Sequence, residues 1–284
     1  MSEGGATGER AAPGQEQSRY ELRATAAWIT LHRPAARNAL SARLVHELYD
    51  HLQRALADDA VRCVVITGEG TAFCAGADLK DPLGRTDKST DQSTGGTRSV
   101  PYSEVLRTIW HSPKPVIAAV NGAAFAGGLG LVGAADIVIT AEDAVYSFSE
   151  VRIGVIPAII SVVCLPKVGA HHAMRLFLGG HRFDGAEAVR IGLAHRAVPR
   201  GRLLAAVEEE IEAIHLGGPT AVTECKKLVR TIPHLDLESG FELATGWSRS
   251  LFAGEEAAEG MRAFREKRPP RWAREQATDP DRER

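Results

Sequence analysis

Short apolar runs of strand length alternate with helical patterns along the first part of the chain, and this alternation limits the possible folds. The predicted strands are Ala26 to Leu31, Val61 to Thr67, Val116 to Val120 and Ile137 to Thr140. Between the first two, residues 41–58 place Leu44, Leu48 and Leu52 on one helical face behind Ser41, a good N-cap residue. Strands that alternate with helices indicate an α/β fold with largely parallel pairing.

Beyond Gly201 the strand pattern stops and helical patterns follow one another. The predicted helices are Leu203 to His215, Pro219 to Ile232, Leu237 to Leu251 and Glu255 to Lys267. Pro219 suits a first helical turn, and Gly254 separates the last two helices. The sequence therefore predicts an α/β core over residues 19–200 and a C-terminal helical region over residues 201–272, with no visible internal repeat.

Three segments lack the apolar residues that a packed structure needs. Residues 1–18 are rich in Gly, Ala, Glu and Gln, so we expect a disordered N-terminal tail. Residues 273–284 are expected to form a flexible tail. The segment from Asp81 to Pro101 is polar and unpatterned, and loops of this length are usually functional or mobile.

Charge and cysteine usage narrow the classes of partner. The formal net charge is −2 and 25% of residues are charged, with both signs mixed, so no basic field is available for nucleic acid or anionic lipid. No apolar run approaches the roughly 20 residues that cross a bilayer. Four cysteines lie far apart without a CxxC pair, which favours a reducing, cytoplasmic compartment and small buried thiols. Small molecules or copies of the chain are the expected partners.

The first chemically informative segment is Gly68 to Lys80, which follows a predicted strand. Small residues from Cys74 to Ala77 let the backbone approach a ligand closely, and N–H groups at such a turn can point to an anionic oxygen. Taken alone, a turn of this composition after a strand is structural more often than catalytic.

The second segment runs from Lys114 to Gly133 and again passes from a strand through small residues into a short helix. Unpaired N–H groups at the helix start make Gly127 a candidate oxyanion donor. Gly128, Gly130 and Gly133 also match GxGxxG, which raises a dinucleotide-binding alternative. That alternative fits poorly, because seven residues separate Val120 from Gly128, whereas the first glycine of such a motif directly follows its strand.

The third segment, Ala141 to Pro157, contains Glu150 among Phe148, Val151 and Ile153. Apolar surroundings would disfavour the charged carboxylate and suit it for acid/base work. The alternative is an exposed carboxylate on an alternating strand.

Together the three segments resemble the enoyl-CoA hydratase/isomerase (crotonase) family, and the resemblance extends from about Trp28 to Trp272. The matching runs are FCAGADLK at Phe73 to Lys80, KPVIAAVNG at Lys114 to Gly122 with AGG at Ala126 to Gly128, and SEVRIGVIP at Ser149 to Pro157. The resemblance implies a spiral of repeated ββα turns with a C-terminal helical trimerisation region, as a homotrimer or a dimer of trimers.

The resemblance also implies an acyl-CoA substrate and a set of site residues. Ala77 and Gly127 would form the oxyanion hole, and Glu150 would transfer protons. Coenzyme A is then part of the substrate, and we expect no separate cofactor. The residues implied in substrate and CoA binding are Ala75, Gly76, Asp78, Leu79, Lys80, Gly128 and Lys267. No His/Cys/Asp cluster has metal-ligand spacing, so we expect no metal.

One position departs from the family's hydratases, which carry a second glutamate where this chain has Gly130. Paired carboxylates normally share water activation and proton delivery, whereas a single one suffices for a double-bond shift. A hydratase that acts on a 2-enoyl-CoA through Glu150 is the favoured interpretation. A double-bond isomerase and a non-catalytic acyl-CoA-binding relative are the alternatives. A carboxylate restored at Gly130 is expected to raise hydration if the neighbouring side chains leave it room.

Overall fold

The computed structural model describes residues 16–80 and 100–274. Most of the predicted N-terminal tail, residues 81–99 of the predicted polar loop, and residues 275–284 of the predicted C-terminal tail lie outside the described residues. The first strand begins at Ser18, inside the predicted tail, because Ser18 pairs with Leu31 and its N–H donates to Glu47 Oε2 at 2.9 Å.

The described strands form two sheets. The strands are β1 (Ser18–Arg23), β2 (Ala26–Leu31), β3 (Cys63–Gly68), β4 (Ala72–Cys74), β5 (Val116–Val120), β6 (Ala123–Phe125), β7 (Ile137–Ala141), β8 (Tyr146–Ser147) and β9 (Arg196–Val198). The larger sheet has the order β1-β2-β3-β5-β7-β9 and is parallel except for the β1–β2 pair; the smaller has the order β4-β6-β8 and is parallel. The predicted parallel pairing is confirmed, and β2 and β5 have the predicted bounds.

The described helices cover the larger sheet and continue beyond it. They are α1 (Ala42–Ala57), α2 (Tyr102–His111), α3 (Gly127–Ala134), α4 (Ala158–Gly179), α5 (Gly185–Arg190), α6 (Leu203–Leu216), α7 (Pro219–Thr231), α8 (Leu237–Phe252), α9 (Glu255–Arg265) and α10 (Arg271–Arg274). Ser41 caps α1 as predicted, since its Oγ accepts from Leu44 N–H at 3.1 Å. The predicted C-terminal helices each begin at the predicted residue and end within two residues of prediction.

A repeated unit appears in the order of these elements. Three times in succession, a strand of the larger sheet leads to a short strand of the smaller sheet and then to a helix: β3-β4-α2, β5-β6-α3 and β7-β8-α4. This succession is the ββα spiral, although no internal repeat is visible in the sequence. It brings the turns after β4, β6 and β8 to one side of the molecule.

Apolar side chains fill both faces of the larger sheet. Along β2, Ala27, Ile29 and Leu31 belong to the core shared with α1, α2, α3 and α4, whereas Ala26 and Trp28 belong to a second cluster shared with α6. Successive side chains of a strand point to opposite faces, so this division follows from the sequence directly. Both faces are covered, as expected for a largely parallel sheet.

The helical region is fastened to the core by a compact charge network. Asp136, which precedes β7, contacts Lys226 Nζ at 2.7 Å and an Arg230 guanidinium nitrogen at 2.6 Å. Its Oδ2 also accepts from Val116 N–H at 2.8 Å. Both cations lie on α7, so this carboxylate joins the strand β5, the start of β7 and the C-terminal helices.

Candidate functional site

The turn after β4 leaves the backbone N–H of Ala77 pointing away from Leu40, the residue with which Ala77 pairs. Leu40 N–H donates to Gly76 O at 2.8 Å, and Asp78 N–H donates to Leu40 O at 3.1 Å. These two bonds form a parallel bridge between Leu40 and Ala77, in which the residues flanking Ala77 supply the donor and the acceptor. The N–H of Ala77 itself therefore points away from Leu40. Gly76 has a φ of +89°, which favours glycine.

The turn after β6 leads into α3 through a strained residue. Ala126 has φ 47° and ψ −118°, a conformation that costs a non-glycine residue about 1–3 kcal/mol. Its N–H donates to Ser147 O at 3.0 Å and its carbonyl accepts from Leu129 N–H at 2.9 Å, so both of its polar groups are fixed. Gly127 follows as the first helical residue, and its N–H has no partner within the helix.

The two turns lie directly against each other. A Cβ added to Gly76 would lie 3.3 Å from Gly127 N, and one added to Gly127 would lie 3.7 Å from Ala77 N. The structure thus brings together two N–H groups that are fifty residues apart in sequence. Two neighbouring backbone donors, one of them at the start of a helix, are suited to hold an oxygen that carries negative charge.

Glu150 opens a 3₁₀ turn, Glu150–Ile153, shortly after β8, and not the alternating strand that the sequence allowed. Its Oε2 is buried and has no hydrogen-bond partner among the described residues. Burial raises the pKa of the carboxyl above its usual value. Of its three predicted apolar chain neighbours, Val151 and Ile153 are exposed and only Phe148 is buried.

Helix α3 is buried on every side, and its glycines are the reason that this is possible. A Cβ at Gly128 would lie 2.3 Å from Cys74 O, and one at Gly133 would lie 2.6 Å from Cys164 Sγ. A Cβ at Gly130 would lie 2.7 Å from Ile160 Cγ2. The GxGxxG match therefore has a packing explanation, because three different neighbours approach the helix backbone.

Tyr102 is a residue of this region that the sequence did not single out. It is the first residue of α2, and its hydroxyl donates to Gly127 O. The same hydroxyl lies 2.7 Å from the place that a Cβ at Gly130 would take. A glutamate at Gly130 would collide with Tyr102 and Ile160, so the structure lacks the room on which the expected gain in hydration depended. This contact forms because α2 packs against α3, and no local sequence pattern predicts that packing.

The polar residues of the first turn have distinct surroundings. Asp78 contacts an Arg33 guanidinium nitrogen at 2.9 Å and accepts from Lys80 N–H at 3.1 Å. Burial alone would raise the pKa of Asp78, but these hydrogen bonds hold it below its usual value. Leu79 and Lys80 are exposed beside it. Asp78 thus fixes the turn, while Ala75 is half-buried and Ala77 exposed.

Lys267 is exposed just beyond α9, where its N–H donates to Phe264 O at 3.2 Å and its φ is +52°. Within residues 16–80 and 100–274, no hydrogen bond or ion pair joins Lys267 to the turn after β4. Lys267 therefore stays a predicted CoA contact.

A separate cleft of about 820 Å³ contains none of the predicted site residues. It lies where α7 and α9 meet the starts of β3 and β5, and its lining includes Lys114, Glu256 and Trp272. Glu256 accepts from Thr220 N–H at 2.9 Å and caps α7. Trp272 donates to Leu216 O at 3.1 Å, which fastens the C-terminal segment to the end of α6.

Thiols and possible metal ligands add no further site here. Burial raises the pKa of both Cys74 and Cys164 to about 12, so neither is a reactive thiolate. Cys63 is also buried, but Cys225 is exposed on α7, so the expectation of four buried thiols is wrong for that residue. In the described ranges, no three His, Cys, Asp or Glu side chains are grouped to hold a metal ion. None of the described helices is long and apolar enough to cross a membrane.

Comparison with known proteins identifies the family. The profile of the family described as Enoyl-CoA hydratase/isomerase matches residues 21–275. This chain belongs to the enoyl-CoA hydratase/isomerase family. The enoyl-CoA hydratase EchA19 of Mycobacterium tuberculosis is 35% identical over 245 residues, which cover 85% of this chain and 91% of that protein. The carnitinyl-CoA dehydratase of Proteus mirabilis is 34% identical over 250 residues, with coverage of 86% and 93%.

Solved structures agree with this assignment. An enoyl-CoA hydratase/isomerase from Marinobacter aquaeolei superposes with a TM-score of 0.81 at 32% identity, covering 91% of this chain and 100% of the other. The predicted fold class, a crotonase-like α/β core with a helical C-terminal region, is confirmed.

Proposed function

We propose that this protein is an enoyl-CoA hydratase that adds water to a 2-enoyl-CoA thioester. The observation that supports the proposal is the close approach of two turns, since a Cβ added to Gly127 would lie 3.7 Å from Ala77 N. A thioester carbonyl held by both donors would be polarised, and the negative charge that develops on its oxygen would be stabilised. Coenzyme A belongs to the substrate, and no separate cofactor is part of the proposal.

Glu150 is the proton-transfer group in this proposal. Its carboxylate takes a proton from water as the water oxygen bonds to C3, and the electrons of the double bond move through C2 to the thioester oxygen. The same carboxyl group then returns a proton to C2, so that water has been added across the double bond. A carboxyl group whose pKa is raised by burial accepts a proton more readily and can return it to the substrate.

A double-bond isomerase is the second candidate, and the surroundings of Gly130 favour it. Tyr102 and Ile160 occupy the space that a second carboxylate would need. A single carboxylate can remove a proton from C2 of a 3-enoyl-CoA and deliver it to C4, which yields the 2-enoyl isomer without water.

A non-catalytic acyl-CoA-binding role is less favoured. Among the described residues, the buried Oε2 of Glu150 has no hydrogen-bond partner, and a buried polar atom without a partner calls for an explanation, which a catalytic role supplies.

We assign CoA binding to the turn after β4, with Ala75, Gly76, Asp78, Leu79 and Lys80 along its length and Gly128 behind it. The exposed ammonium of Lys80 is available to a phosphate, whereas Asp78 holds the turn through Arg33. Gly128 would act by letting α3 approach Cys74 closely. Lys267 is a separate candidate for a phosphate contact, and Lys267→Ala should weaken acyl-CoA binding if it makes one.

We also propose that the protein self-associates as a homotrimer or a dimer of trimers. Large apolar side chains remain exposed on the monomer at Ile156, Val162, Leu178, Leu237, Phe241, Phe252 and Phe264. Monomers rarely expose this many large apolar groups unless an interface covers them. Light scattering after gel filtration tests the expected mass.

Incubation with 2-enoyl-CoA and 3-enoyl-CoA thioesters, each resolved by mass and by double-bond position, tests the proposal. A hydratase adds the mass of one water to the 2-enoyl thioesters. An isomerase changes the double-bond position at constant mass. Acyl-CoA binding without either product, measured with folded wild-type protein, contradicts both catalytic candidates.

A further inference from the structure

Tyr102 reaches across from α2 to the first turn of α3. Its hydroxyl donates to Gly127 O, the carbonyl that faces Leu131 N–H one turn later in the helix. In a regular helix these two backbone groups would bond to each other, because they are four residues apart. The phenol thus takes part in closing the first turn of the helix.

Gly130 is what admits the phenol. A Cβ at this position would lie 2.7 Å from the Tyr102 hydroxyl oxygen and 2.7 Å from Ile160 Cγ2, both closer than real Cβ contacts. The absence of the second glutamate and the presence of Tyr102 are therefore two aspects of one arrangement. Gly130 leaves the space in which the hydrogen bond from Tyr102 to Gly127 O forms.

The start of α3 needs such a restraint. Ala126 is held in a strained conformation, and two glycines follow it. Glycine has little intrinsic conformational preference, so the backbone at Gly127 and Gly128 would gain freedom if nothing held it. The Ala126 carbonyl, which shares a peptide plane with the Gly127 N–H, accepts from Leu129 N–H, and the hydrogen bond from Tyr102 to the Gly127 carbonyl holds the next peptide plane, so that Gly127 is restrained on both sides.

We propose that Tyr102 is a positioning residue of the oxyanion hole, whose phenol, in the space left by Gly130, fixes Gly127 so that its N–H remains directed at the thioester carbonyl. This inference rests on the proposed function, because it assumes that the Gly127 N–H binds that carbonyl. The phenol acts as a neutral group. Burial raises its pKa well above the usual value, so it donates a hydrogen bond and leaves proton transfer to Glu150.

Tyr102→Phe tests this role, because it removes the hydroxyl and keeps the ring. Loss of one hydrogen bond should lower kcat roughly five- to tenfold and change KM little, since most substrate binding comes from the CoA part. The matched control is Tyr146→Phe, which removes another buried phenol hydroxyl, one that donates to Thr140 Oγ1 at 2.6 Å outside the proposed hole. This control should keep the wild-type kcat.

A chromophoric substrate analogue reports on the hole without turnover. A 2-enoyl-CoA that carries an electron-donating aryl group absorbs at longer wavelength when its carbonyl is polarised. The bound analogue should show this shift with wild-type protein and Tyr146→Phe, and a smaller shift with Tyr102→Phe. Equal shifts and equal kcat values for wild type and Tyr102→Phe overturn the positioning role but leave the proposed hole intact. No shift with wild type overturns the proposed hole and this inference with it.

A double-mutant cycle tests the pairing of Gly130 with the phenol. Gly130→Ala should reduce the spectral shift and kcat in the Tyr102 background, because the added Cβ displaces the hydroxyl. In the Tyr102→Phe background the same change should cost several-fold less. Additive effects would show that Gly130 and the hydroxyl act separately, which contradicts the proposed arrangement.

Discussion

Glu150 and Glu259 are two carboxylates with opposite environments. Glu259, on α9, is 7% exposed and accepts hydrogen bonds from two Arg268 guanidinium nitrogens at 2.8 and 3.2 Å. The hydrogen bonds from Arg268 lower its pKa to about 2. Among the described residues, Glu150 forms no ion pair and its buried Oε2 has no hydrogen-bond partner, and burial raises its pKa.

The contrast separates a structural carboxylate from a candidate catalytic one. Glu259 is stabilised as an anion, so it neither accepts nor releases a proton near neutral pH. Glu150 is held where its charged form is disfavoured, which is the condition for proton transfer. Sequence position alone does not distinguish the two, since both lie in segments that resemble the family.

The largest expected effect separates the two residues by function. Glu150→Gln should lower turnover about 10²- to 10⁴-fold, because a positioned acid/base group is lost while acyl-CoA binding remains. The matched variant Glu259→Gln should keep wild-type kcat per folded molecule. Steady-state kinetics and binding of an unreactive acyl-CoA measure both. Full activity in Glu150→Gln would remove this residue from the mechanism.

The second prediction tests whether catalysis depends on the N–H donor of Gly127 as well as on the carboxylate of Glu150. Gly127→Pro removes one N–H and leaves both glutamates unchanged, so kcat should fall about 10²- to 10³-fold. Gly254→Pro is the control, because it places a proline at the N-cap of α9, far from the turn after β4 in sequence. A folded Gly127→Pro protein with wild-type kcat would contradict the assignment of Gly127.

Much of the fold could be predicted from local patterns. The Ser41 cap, the strand bounds of β2 and β5 and the start of α7 at Pro219 follow from residue chemistry within a few positions. The ββα repeat could not be seen, because its three units share a backbone path and not a residue pattern. Its recognition came from the family resemblance.

The site could be predicted only in part for a related reason. Small-residue turns and Glu150 stand out in the sequence, but the contacts that define them join residues far apart. Tyr102 lies 28 positions from Gly130, and the strained φ of Ala126 depends on Ser147. Such contacts arise from packing of α2, α3 and β8, which no local pattern specifies.

The third prediction concerns the contribution of Glu259 to the stability of the folded protein. Replacing it by Gln should lower the unfolding midpoint at neutral pH, because Arg268 and the Arg271 N–H at 3.1 Å lose a charged partner. Its folded pKa is lowered, so the stabilisation is present above the usual glutamate value and is lost as pH falls toward about 2. Thermal unfolding at several pH values measures this difference. Equal midpoints at neutral pH would show that the ion pair adds nothing.

The smallest expected effect has the opposite sign. The folded-state pKa of Glu150 is raised, so the wild-type protein loses stability as pH rises from the usual glutamate value of about 4.3 through that raised value. Gln does not titrate, so Glu150→Gln should be slightly more stable than wild type at neutral pH, and the two should converge below about pH 4. Denaturant unfolding at pH 4 and pH 7.5 measures this. A Glu150→Gln protein that is less stable than wild type at pH 7.5 would mean that the charged carboxylate has a stabilising partner, and the contrast with Glu259 would no longer hold.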